Sequence, residues 1–320
     1  MRLVPREASS QEHVSLSSAM LGYHRRMAAI PHLLDSPAAL EALSHVEVVY
    51  TDLDGTLLGV GGSLLIDGDG QPSAEAAEAI VRLNAAGLTI VPVTGRNRIQ
   101  CAEIARLVGW RGFIAELGCV IVPDRGAEPI YFLGEWTEEM LEPGETPYEA
   151  IVLDGAPELL REAFPGLLEP HAPYHLNREA TYLVRGFIDL AVARDILGRS
   201  DLPVDIVDNG IIHPPVTGLA PELPEIHAYH LMAPGVSKAA AVAEDLARRG
   251  LTHEKAASIG DAPPDVEMAD ATALGVLVGN ALHNADVAEA ARARDNVFAV
   301  DGQRTTGWAQ FASAWLAARA

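Results

Sequence analysis

The 320-residue sequence predicts an α/β fold, a doubly wound parallel-sheet core with an inserted α/β cap domain. Three observations predict it. Short β-branched runs alternate with amphipathic helical stretches at both ends of the chain. Several of those runs stop at Asp, Gly or Thr, the place where open α/β sheets bind ligands. From about residue 135 to 228 the alternation is interrupted by a Pro- and Gly-rich stretch with no such run end.

The elements follow in order. Residues 1–45 read as an N-terminal extension with a helix over Ser36–Leu43; Met20 and Met27 offer later starts. The first core part, 46–134, opens with VEVVYTDLDGTLL (Val46–Leu58), a strand that ends at Asp52, Asp54, Gly55 and Thr56. An amphipathic helix, Ser73–Ala86, stops at Gly87. The strand LTIVPVTGR (Leu88–Arg96) and a helix over Asn97–Val108 come next, then a strand over Gly112–Ile121 leading into a hairpin with Pro129–Leu133. The cap, 135–228, holds strands at Ala180–Ile188 and Val204–His213 around a helix at Leu190–Gly198. The second core part, 229–320, contains a helix capped by Ser237 and ended by Gly250, with Ala241, Val242, Leu246 and Ala247 as its apolar positions. A short strand then ends at Gly260 and Asp261, and Pro263 and Pro264 suit the helix opening that follows.

Four segments carry the chemistry. Asp52 and Asp54 stand at the mouth of a site, where like charges resist joint ionisation unless a proton or cation neutralises them. Taken alone, DLDGT also suits an ordinary loop. Thr94 and Gly95 supply a hydroxyl, backbone N–H groups and close approach, features that suit phosphate oxygens. Lys238 lies in the first turn of a helix, where the helix dipole disfavours it, which points to an anionic partner. Asp261 and Asp265 add two carboxylates of the hard-oxygen type that magnesium binds together with phosphate and water.

In this order the segments resemble the haloacid dehalogenase superfamily over about residues 46–302. DLDGT looks like its nucleophile motif, VTGR the second, Lys238 the third and GDAPPD the acidic fourth. AELGCVIV (Ala115–Val122) and VGNALHNADVAEAA (Val278–Ala291) look like stretches of its Cof-type and sugar-phosphate phosphatase branch. Within it the chain looks most like the mannosyl-3-phosphoglycerate and sucrose phosphatase group. Two departures stand out: Pro264 where the family commonly has Asn, and Leu117 where the branch has Asn. The resemblance implies a Rossmann-like core, Mg2+, and hydrolysis of a phosphomonoester through an aspartyl phosphate. Asp52 would be the nucleophile, Asp54 the acid and base, and Thr94, Gly95 and Lys238 the phosphate holders. Asp52, Asp54 through its backbone carbonyl, Asp261 and Asp265 would form the metal site. The substrate would be a small phosphorylated sugar or a glycosyl-glycerate phosphate, with Arg178, Arg185 and His213 of the cap as substrate contacts.

Composition narrows the function further. Against 44 acidic residues there are 23 basic ones, a net charge of −21 that repels nucleic acid and anionic membranes. No apolar run approaches the roughly 18 residues of a membrane span, and no signal peptide is apparent. Two cysteines, Cys101 and Cys119, fit a reducing cytoplasm. A homodimer through the cap or the extension is compatible with the sequence. Histidines at 171, 175, 213, 227 and 230 raise zinc, yet no pair has the helical i, i+4 setting of a hydrolase site, since Pro173 separates His171 from His175. The second acid of DLDGT would be idle in a carbon dehalogenase. The alternatives are therefore a sugar phosphomutase and a non-catalytic sugar-phosphate sensor.

Overall fold

The structure, a computed structural model, describes residues 29–214 and 216–320. The extension up to residue 28, with Met20 and Met27, lies outside the described residues. Helix α1 (Pro37–Ser44), capped by the Ser36 hydroxyl, leads to strand β1 (Val48–Thr51). Helix α2 (Glu75–Ala85), strand β2 (Thr89–Pro92) and helix α3 (Arg98–Val108) follow. Asn97 and Gln100 form a reciprocal capping box on α3, and Gly109 ends it in the left-handed conformation.

The segment expected as one strand over Gly112–Ile121 is two strands, β3 (Phe113–Ala115) and β4 (Val120–Val122), paired antiparallel. Glu116, Leu117 and Gly118 between them all have positive φ (52°, 58° and 111°), so the chain reverses there. Strand β5 (Ile130–Tyr131) completes the expected hairpin.

Helices α4 (Pro147–Leu153) and α5 (Ala156–Ala163) precede strands β6 (Leu168–Pro170) and β7 (Tyr182–Gly186). Helix α6 (Leu190–Leu197) and strands β8 (Asp205–Ile211) and β9 (His227–Met232) come next. These four strands form one antiparallel sheet in the order β6-β7-β9-β8. Its last strand runs past residue 228, so the sheet reaches four residues beyond the boundary read from the sequence.

Helix α7 (Lys238–Arg249), strand β10 (Ala256–Gly260), helix α8 (Pro263–Glu267) and strand β11 (Leu274–Leu277) return to the core, followed by helix α9 (Ala285–Arg292), strand β12 (Val297–Ala299) and helix α10 (Arg304–Ala318). The core sheet is parallel throughout, in the order β12-β11-β10-β1-β2. All of β1, β10 and β11 is buried, as expected of strands covered on both faces. Ala241, Val242 and Leu246 of α7 are buried, but Ala247 is exposed. Asp245 takes the inward place instead, accepting from the Tyr50 hydroxyl (2.8 Å) and from Arg249.

Trp308 of α10 is wholly buried and donates through Nε1 to Thr51 Oγ1 at 3.0 Å; that hydroxyl donates to the Asp52 carbonyl at 2.7 Å. The end of β1 is thus fixed from beneath before the acids begin. Trp110 and Trp136 are buried too.

Candidate active site

The two central strands, β1 and β10, are neighbours, so their carboxyl ends bring DLDGT and GDAPPD together. The Asp52 N–H donates to the Ile259 carbonyl at 2.9 Å, which continues the ladder one residue past β1. The crossing is close. A Cβ on Gly55, whose φ is +93°, would lie 2.4 Å from Asp261 Oδ2. One on Gly260 would lie 2.1 Å from the Asp265 Cβ. Only glycine fits at either place.

Lys238, first residue of α7, has its ammonium buried between two carboxylates. Its Nζ donates to Asp52 Oδ1 and to Asp265 Oδ1, each at 2.7 Å. Asp265 spends its other oxygen on the backbone N–H groups of Asp261 (3.0 Å) and Ala262 (2.9 Å), which fixes the loop after β10. Asp261 is held from both sides. Thr56 Oγ1 donates to Oδ1 at 2.9 Å and Asn280 Nδ2 to Oδ2 at 3.0 Å. Asn280 also reaches the Gly55 carbonyl, and its own Oδ1 accepts from the Arg304 N–H. It is a site residue that the reading of individual motifs passed over. Its signal was present, since it lies inside the VGNALHNADVAEAA stretch.

Carboxylate oxygens of Asp52, Asp261 and Asp265 all lie within 4.8 Å of one another. Among the described residues this is the one group of three or more potential metal ligands, and the cap histidines form none. Burial pushes the Asp52 carboxyl well above the usual range; Lys238 pulls it back, and Asp265 and Asp261 add to the rise. Burial and Asp265 likewise push Asp261 up to about 7. Asp265 and Asp52 hold the Lys238 ammonium above its ordinary value, against the effect of burial. The Lys238 ammonium bonds two of the three acids, and Asp261 feels its charge and that of Arg304. An all-oxygen donor set with this excess of negative charge fits a hard divalent cation.

Asp54 stands apart from the three. Its carboxylate accepts two parallel bonds from Arg96, from Nε at 2.8 Å and from Nη2 at 2.6 Å, and half of the side chain is exposed. Thr94 is buried, and its Oγ1 accepts the Arg96 N–H at 3.3 Å. The second motif therefore touches the first through its arginine, a contact with no counterpart among the residues expected to act.

A profile of the haloacid dehalogenase-like hydrolases matches residues 49–133 and 225–293, the two core parts, and passes over the segment between them. The chain belongs to this family. It is 27% identical over 244 residues to a phosphoglycolate phosphatase of Methanoculleus marisnigri, covering 74% of this chain and 85% of that one. The fold is shared with a protein of Thermoplasma acidophilum (TM-score 0.57, 19% identity, 85% of this chain and 98% of that one). It is shared also with the sucrose-phosphatase of Synechocystis, solved with sucrose and phosphate (TM-score 0.56, 14% identity, 84% and 97%).

In this haloacid dehalogenase-like hydrolase the three cap residues singled out from the sequence stand in different surroundings. Arg185 Nε donates to Glu169 at 2.7 Å and its Nη2 to the Val216 carbonyl at 2.8 Å, an ion pair inside the cap. Arg178 is buried, with Nη1 at 3.1 Å from Thr181 Oγ1 and 3.8 Å from Glu116 Oε2. His213 lies beyond the end of β8 and is exposed.

Proposed function

We propose that this phosphatase hydrolyses a small phosphomonoester in two steps, with Mg2+, and that its substrate is a sugar phosphate or glycosyl-glycerate phosphate. One observation carries the reading: Asp52 and Asp265 bonded to the same Lys238 ammonium, with Asp261 at metal-sharing distance. Asp52 attacks phosphorus and becomes an aspartyl phosphate while the leaving oxygen departs. Asp54, on the exposed side of the site, protonates that oxygen and then takes a proton from the water that releases phosphate. Thr94, Gly95 and Lys238 hold the phosphoryl oxygens as charge spreads over them. The Asp52 carboxylate, the Asp54 carbonyl, Asp261 and Asp265 would hold magnesium, with Thr56 and Asn280 aiming Asp261. When bound, the ion neutralises the acids and polarises a phosphoryl oxygen.

Residues 135–228 serve as the cap that covers the site and chooses the leaving group. The two cysteines are free and buried, which suits a cytoplasmic setting. No helix among the described residues is long and apolar enough to cross a membrane. The name of the Methanoculleus marisnigri relative supports a second reading, phosphoglycolate as substrate.

Phosphate release from a panel of sugar, polyol and carboxylate-bearing phosphates tests both. Turnover should vanish with a strong chelator, return with magnesium, and be abolished or need far more magnesium in Asp261→Ala. Full activity in chelator would remove the metal from the mechanism.

A further inference from the structure

Two cap side chains meet the phosphate motif at Gly95. A Cβ built there would lie 2.7 Å from Asn209 Nδ2 and 3.4 Å from His230 Nε2. Asn209 belongs to β8 and is exposed; His230 belongs to β9 and is buried. Neither is assigned a role by the motifs.

The proton on His230 can be located from its neighbours. Nδ1 is 3.2 Å from Thr181 Oγ1. A hydroxyl has one hydrogen and two lone pairs. That hydrogen goes to Glu116 Oε2 at 2.8 Å. Glu116 is wholly buried and also accepts the N–H groups of Glu179 (3.0 Å), Ala180 (3.2 Å) and Thr181 (2.8 Å). One lone pair of Thr181 Oγ1 takes Arg178 Nη1 at 3.1 Å. Only the remaining lone pair faces His230, so Nδ1 must carry the hydrogen. Burial, Arg178, His171 and Lys238 keep the ring below its ordinary pKa and therefore neutral. Nε2 is then a bare acceptor. Among the described residues no hydrogen bond reaches it.

We infer that His230 Nε2 and Asn209 Nδ2 form an acceptor and donor pair that reads a hydroxyl on the leaving group beside the transferred phosphoryl. A hydroxyl can donate to Nε2 and accept from the amide at once. A carboxylate has no hydrogen to give and meets the Nε2 lone pair head-on, so glycolate is disfavoured. Thr181 and Glu116 act through His230 as positioning residues. The inference rests on the phosphatase reading and names the leaving-group chemistry of that same site.

The test uses the full chain with magnesium and four probes: glycerol 3-phosphate, n-propyl phosphate, phosphoglycolate and p-nitrophenyl phosphate. Wild type should favour glycerol 3-phosphate over n-propyl phosphate in kcat/KM by about tenfold, the scale of one net hydrogen bond to a substrate. His230→Asn keeps a group at the Nδ1 position but does not reach the cleft. It and Asn209→Ala should lose about tenfold more on glycerol 3-phosphate than on p-nitrophenyl phosphate, chiefly in KM. His230→Gln, which restores a polar atom at the Nε2 position, should recover most of that difference. Asn209 is exposed, so its variant decides the matter even where a change at buried His230 disturbs folding. Parallel losses on the two substrates, or a wild type that prefers phosphoglycolate to glycerol 3-phosphate, would overturn the inference and leave the phosphatase reading standing. A wild type inert toward all four probes would overturn that reading and the inference with it.

Discussion

Asp52 and Asp54 differ by two positions and live in opposite surroundings. Asp52 is sealed against Lys238 and two further acids, whereas Asp54 is half exposed and gripped by the flat fork of Arg96. That contrast suits a division of labour, because a nucleophile profits from a dry, fixed site and a proton carrier needs access to water and the leaving group. Asp52→Asn keeps the shape and removes the attacking charge. Turnover should fall by at least ~10³, as for loss of one member of a catalytic unit. The fold should survive, since one of three crowded acids becomes neutral. Steady-state kinetics on the purified variant check this; retention of more than about a tenth of wild-type activity would remove Asp52 from the attacking role. The acids were legible in the sequence because strand ends and Asp-Gly turns are local features. The Arg96 fork and the Asn280 contact were not, since they join residues 42 and 19 positions apart in sequence.

At the scale of elements, cap and core are joined at the β3–β4 turn. Glu116 leaves the core there with positive φ and receives three N–H groups and a hydroxyl from the segment 179–181. In Glu116→Gln an amide that donates replaces an oxygen that only accepts, and at least one of those donors is left facing another donor. A loss of about 1–3 kcal/mol is expected, the cost of a buried unsatisfied group. Hydrogen exchange should rise first at the amides of residues 179–181, ahead of β1 and β10; unchanged protection there would mean that Glu116 does not tie cap to core. Strands β1, β2 and β10 of the parallel core were readable because each is a short apolar run with a helix behind it, whereas β11 and β12, four and three residues long, were not singled out. Ser237 caps its helix as read, while Ser36 and Asn97, expected as first helical residues, stand one position outside as caps, which suits their residue types. The cap domain was less readable. Its strands β6 and β9 are three and six residues long, β6 contains a proline, and their partners are non-local, so no periodicity marks them. The reversal at Glu116–Gly118 was hidden for another reason: Glu and Leu rarely adopt positive φ, and apolar residues stand on both sides of them.

For the whole molecule, a net charge of −21 surrounds a site that must admit an anion. Repulsion acts at long range and is screened by salt, while Lys238 and the metal act at contact and are screened far less. Raising ionic strength with an inert salt from about 0.01 M to about 0.1 M shortens the Debye length from ~30 Å to ~10 Å and should lower KM for a phosphomonoester. A rise in KM would show instead that attraction to the site, not repulsion from the surface, dominates encounter. The central claim is that the phosphoryl group passes through Asp52, and the most direct measurement is to catch it there. In Asp54→Asn, nitrophenolate can still leave without an acid, but the water that should release phosphate has lost its base. After mixing with p-nitrophenyl phosphate and magnesium and quenching in acid, peptide mapping should find the phosphoryl group on Asp52. A phosphoryl group on another residue, or hydrolysis with none on the protein at any time, would contradict the account.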